Sequence, residues 1–133
     1  MCYLQKARGY TLSEILVVVI MLGILSSVAV PQFMVTVERN RSNEGSHILF
    51  VLLGAQKHFF VENDTYTGIM AQLDVDIPGA QYFNPPTIAN NSANLASITR
   101  IPGQFNYTLS IDENGQITCS VIGPGNICAQ MGY

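Results

Sequence analysis

Residues 8–30, RGYTLSEILVVVIMLGILSSVAV, place one carboxylate, Glu14, at the head of an apolar run that meets no other charge until Glu38. The 23 uncharged residues 15–37 would span roughly 35 Å as a helix, at about 1.5 Å per residue, against roughly 30 Å of bilayer hydrocarbon. The run is long enough to cross a membrane, and Lys6 and Arg8 ahead of it hold that end in the cytoplasm. Ser26, Ser27 and Ala29 are small enough for a signal-type cleavage, but a cut there discards the anchor. Gly9 is the other short-residue break, and it lies before the apolar run.

Helix chemistry gives one account of Glu14. Thr11 to Glu14 fits the S/T-x-x-E capping box, Tyr10 and Ile15 are placed as a hydrophobic staple, and a carboxylate suits the positive end of the helix dipole. A glutamine would make the same bond without charging the lipid boundary. Because a charge at that depth costs a few kcal/mol, a carboxylate kept there points to a charged partner.

The string Lys6-Ala-Arg-Gly-Tyr-Thr-Leu-Ser-Glu14, followed by an apolar helix with a proline at Pro31, resembles the start of a type IV prepilin. The resemblance implies that a prepilin peptidase cuts after Gly9 and that Tyr10 becomes the N-methylated first residue. It also implies that Glu14, fifth in the mature chain, neutralises the N-terminal amine of a neighbouring subunit. The physics agrees: among apolar helices an unpaired ammonium and an unpaired carboxylate are each expensive, and a pair is much less so. A mis-stacked subunit leaves both unpaired, so the pair sets register. The residue after the cut is usually phenylalanine and is Tyr10 here; the residue before the glutamate is usually aliphatic and is Ser13 here. Tyrosine keeps the aromatic ring, and Ser13 can bond its own helix backbone. The likeness covers residues 6–31, and the remaining hundred or so residues match in general plan alone.

Pro31 removes one helical hydrogen bond and is expected to kink or locally melt the helix. Ile48, Leu52, Ala55 and Phe59 then repeat at helical spacing, so a helix over about residues 10–62, roughly 80 Å long, is predicted. Residues 84–92, rich in Asn and Pro, read as loop, and residues 95–101 as a short strand. Phe105, Tyr107, Leu109 and Ile111 alternate, residues 112–115 supply turn chemistry, and Ile117, Cys119 and Val121 alternate on the return: a hairpin whose apolar face covers the helix. A third strand is needed for stability, and the pattern does not name it. The expected fold is α+β: a long N-terminal helix, its apolar half protruding, packed against a small antiparallel sheet. Three segments follow: a leader at 1–9, an apolar membrane and filament-core helix at 10–37, and a globular head at 38–133.

Cys119 and Cys128 sit close together, and Cys2 stands apart. With the head outside the cytoplasm, a Cys119–Cys128 disulfide is the natural reading, and two free thiols are the alternative. The resemblance adds that such C-terminal disulfide loops are common in pilins and generally absent from type II secretion pseudopilins.

From Tyr10 onward four basic side chains face nine acidic ones, a balance of −5, which argues against nucleic-acid binding. His47 and His58 are eleven residues apart on the predicted helix, about 16 Å, too far to share a metal. Asp74 with Asp76, and residues 112–115, are each too poor in ligands for calcium. No nucleophile, zinc or phosphate-loop motif occurs, so neither catalysis nor a cofactor is expected. The function implied is that of a structural subunit of a type IV pilus. Its partners are identical subunits, prepilin peptidase and the assembly machinery of the inner membrane, where the precursor resides before export into an extracellular filament. The alternative is a pseudopilin or minor pilin of a type II secretion or DNA-uptake system. A rival of another class is a single-span anchored ectodomain with a ligand-binding or enzymatic role.

Overall fold

The computed structural model describes residues 9–77 and 79–133. Cys2, Lys6, Arg8 and the rest of the expected leader up to residue 8 lie outside the described residues. The chain divides into a first unit that ends at Met34 and a second, Val35–Tyr133.

One helix, α1, runs Leu12–Asn63 over 52 residues, with Pro31 inside it and helical backbone continuous on both sides. The proline thus removes a hydrogen bond without ending the helix. In the first unit every side chain of residues 12–34 is exposed. Leu22 is 56% and Leu25 66% exposed, which no stable water-soluble surface sustains over so long a run.

In the second unit α1 buries one stripe. Ile48, Leu49, Leu52 and Leu53 join Leu95, Ile98, Tyr107, Leu109 and Ile111 in a single core. The sheet is antiparallel throughout, in the order β1 (Thr87–Asn91), β2 (Asn94–Thr99), β3 (Tyr107–Ile111), β4 (Ile117–Val121). Tyr107 pairs with Val121, Leu109 with Cys119 and Ile111 with Ile117, the alternation expected of the hairpin, although the first strand begins at Tyr107 rather than Phe105. At the turn Asp112 Oδ1 accepts the N–H groups of Asn114 (2.9 Å) and Gln116 (2.7 Å), and Gly115 takes the left-handed φ of 83° that favours glycine. The missing third strand is β2, and its stretch coincides with the short strand expected at 95–101.

One expectation needs correction. Residues 84–92 are not all loop, because Thr87–Asn91 forms β1. Asparagine is poor strand material, but an edge strand needs pairing on one side only, and Thr87 Oγ1 lies 2.8 Å from Ser97 Oγ on β2. The register breaks between Ile88 and Asn91, where Asn91 Oδ1 accepts Ala93 N–H at 3.0 Å and turns the chain. The segment between α1 and β1 also contains a 3-10 turn, Met70–Gln72. It is held to α1 by Gln56, fully buried, whose Nε2 donates to Thr67 O (2.7 Å) and whose Oε1 accepts Thr67 N–H (3.1 Å). After Gly123, Pro124 and Gly125 the tail forms a short helix, α2 (Ile127–Met131), that closes on β4.

Candidate assembly site

The candidate site is the first turn of α1 and the residues before it. Glu14 N–H donates to Thr11 Oγ1 at 3.3 Å, and Thr11 N–H donates to Glu14 Oε2 at 3.5 Å, so both arms of the capping box form, the second a long one. Glu14 stays exposed, as do Gly9 and Tyr10, the latter by 79%. The cap therefore orients the carboxylate without burying it, one helical turn from the backbone at Tyr10. Such a group can receive an ammonium from outside the chain.

Beyond it the helix offers apolar surface on all sides. A side chain at Gly23 would meet nothing within 4 Å, so the monomer itself gives no steric reason for a glycine there, and the same holds at Gly9. Ser27 Oγ donates to Ile24 O at 2.7 Å, which satisfies its hydroxyl inside the helix and leaves the face free for apolar contact. The helix contains a window long and apolar enough to cross a membrane.

Residues 4–30 match the model of the prokaryotic N-terminal methylation motif, a span that includes Gly9, Tyr10 and Glu14. The type IV major pilin protein PilA of Myxococcus xanthus is 42% identical over 62 residues, covering 47% of this chain and 28% of that protein. The type II secretion system core protein G of Klebsiella pneumoniae is 31% identical over 130 residues, covering 93% of this chain and 89% of that protein. The chain belongs to the type IV pilin and type II secretion pseudopilin family. No solved structure matches it significantly.

Within this pilin-family head, the feature that the sequence pattern missed is a buried charge. Glu38, the first charge after the apolar run, is 2% exposed. Its Oε1 accepts from Arg100 Nε (2.6 Å) and Tyr107 Oη (3.0 Å), and its Oε2 from Arg41 Nη1 (3.2 Å) and Arg100 Nη2 (3.5 Å). Burial pushes the Glu38 carboxyl up, but Arg100, Tyr107 and Arg41 together outweigh it and hold the group below its ordinary value. Burial, with the Glu38 charge next to it, pushes the Tyr107 hydroxyl well above its usual range. The available signal was the isolation of Arg100, the one basic residue beyond Phe60.

Cys119 on β4 and Cys128 on α2 are joined by a disulfide, with Cα atoms 5.6 Å apart. Tyr133 Oη reaches back to Ser46 Oγ (3.0 Å) and Ser42 Oγ (3.3 Å) on α1. His58 lies 4.0 Å from Glu62, both exposed on α1. Among the described residues no three His, Cys, Asp or Glu side chains come together as a metal site. The Asp112 carboxylate is committed to its own turn.

Proposed function

We propose that this pilin-family chain is the structural subunit of a type IV pilus. The observation that carries the reading is the exposed apolar helix of residues 12–34, headed by a capped but unburied Glu14. In this reading prepilin peptidase removes residues 1–9, Tyr10 is methylated, and the helix of residues 10–37 serves first as an inner-membrane anchor. The assembly machinery then moves it into the core of an extracellular filament, and residues 38–133 form the head. Lipid tails are as apolar as leucine, so this transfer gains little from the hydrophobic effect; close packing and the pairing of charges decide the arrangement. Glu14 and the Tyr10 amine of a neighbour set the register. Each subunit presents different faces to successive neighbours, and such heterologous contacts propagate instead of closing.

The Cys119–Cys128 disulfide supports the pilin reading. The likeness to protein G along nearly the whole chain favours a second, a pseudopilin of a type II secretion system. Under either, Glu14→Gln keeps the cap yet removes the charge, so processing continues and polymerisation falls sharply; abundant normal filaments from this variant would defeat the reading. Deleting the gene separates the two: loss of sheared surface filaments marks a pilin, and loss of protein secretion with those filaments intact marks a pseudopilin.

A further inference from the structure

Arg39 and Arg41 follow the last residue of the apolar run, Val37, by two and four positions. On a helix that is about 3 to 6 Å past the end of the run. The acid between them, Glu38, is withdrawn from the surface and shared by Arg100 and Arg41, so its one charge offsets only part of the three positive charges around it. Among the described residues Arg39 is exposed and in no ion pair. Arg41 is 37% exposed, with one edge on Glu38 and its guanidinium carbon 4.9 Å from the centre of the Tyr82 ring. Its planar fork is thus pre-set, and Arg forks match phosphate oxygens bidentately. A surface cleft of about 370 Å³, lined by Val37, Asn40, Arg41, Glu44 and Tyr82, opens beside it. The one acid in that cleft is committed: Glu44 Oε1 accepts Gln81 N–H (2.8 Å) and Oε2 accepts Tyr82 N–H (3.1 Å). Of the exposed acids of the head, Glu62 lies more than 20 residues further along α1, and Asp64, Asp74, Asp76 and Glu113 lie beyond the helix.

We propose that Arg39 and Arg41 form a collar that binds the phosphate of anionic phospholipids and holds the precursor's head at the membrane surface until assembly. The inference rests on the reading that residues 10–37 span a membrane. A phosphodiester at the lipid boundary presents anionic oxygens where both guanidinium groups emerge from the apolar run, and basic residues so placed are attracted to anionic leaflets. Extraction into a filament must break these contacts, so the collar favours the membrane-bound state and sets a threshold for release.

The test uses the full chain in nanodiscs of phosphatidylcholine with and without phosphatidylglycerol, with bound lipid counted by native mass spectrometry after graded delipidation. The expected result is preferential retention of phosphatidylglycerol, reduced roughly tenfold in Arg39→Gln/Arg41→Gln and only partly kept in Arg41→Lys, which keeps the charge and loses the fork. Arg39→Gln alone, which leaves the Glu38 contacts intact, is expected to show an intermediate loss. Inorganic phosphate is expected not to displace the lipid; displacement at low phosphate would show a free-anion site and overturn the lipid assignment. Equal retention of the two lipids would overturn the collar, as would a double variant that keeps the lipid preference but fails to polymerise, which would assign the arginines to a neighbouring subunit. Release of the wild-type chain from membranes by alkaline carbonate would overturn the spanning reading itself, whereas firm retention with no lipid preference overturns the collar alone.

Discussion

Arg100 Nε lies 2.6 Å from Glu38 Oε1, tying two residues 62 positions apart across the helix-to-sheet core. Arg100 also donates to Tyr82 O at 2.7 Å, so one guanidinium joins α1, the end of β2 and the segment before β1. Glu38→Ala leaves Arg100 largely buried without its counter-charge. The expected loss is about 3 to 5 kcal/mol of stability, well above that of an exposed ion pair. Thermal unfolding of the full chain in detergent measures it, and a loss within about 1 kcal/mol would show that solvent already screens the pair.

The same carboxylate makes stability depend on acid. Because Glu38 is held below the ordinary value of 4.5 in the folded state, its contribution is fully present above that pH. It is lost as pH falls through the lowered folded value. Denaturant unfolding from neutral pH to well below 4.5 should show this loss in the wild type and a flatter profile in Glu38→Gln. Parallel profiles would place the acid sensitivity on other carboxylates.

Gly45 faces the Phe83 ring so closely that an added Cβ would sit 2.9 Å from Cζ, and Phe83 is only 2% exposed. Gly45→Val must push the ring into the core, where overpacking costs about 1 to 3 kcal/mol, more than the helix propensity gained. The melting temperature should fall; an unchanged one would mean that the ring has room to shift.

The fold was legible where one physical signal dominated. The apolar run named the membrane-length helix, alternation named the β3–β4 hairpin, and the order of basic residues, glycine and Glu14 named the family. β1 was hidden because Asn90 and Asn91 carry turn chemistry, and pairing with β2 overrides it. Glu38 and Gln56 were hidden for a different reason. Hydrophobic periodicity treats a polar residue as surface, yet both lie on the buried face of α1, satisfied by Arg100 and Thr67, whose positions only the folded chain reveals. Helical periodicity marks the stripe of Ile48 and Leu52, and it carries no mark for the polar continuation of that stripe.

The disulfide closes a loop of sequence separation 9 between β4 and α2. In the chain-entropy model that is worth about 2 to 3 kcal/mol. Cys119→Ser/Cys128→Ser should lower head stability by that amount and expose the tail, including Met131 and the Tyr133 contacts with α1, to protease. If protease resistance is unchanged, the tail is held by α2 packing alone.

The intact mass of the protein sheared from the cell surface tests the central claim most directly. A chain starting at Tyr10, heavier by one methyl group and lighter by two hydrogens, is the predicted result. It would report cleavage after Gly9, methylation, the disulfide and export in one number. A mass that retains the first nine residues, found in membranes and absent from the sheared fraction, would contradict the filament account.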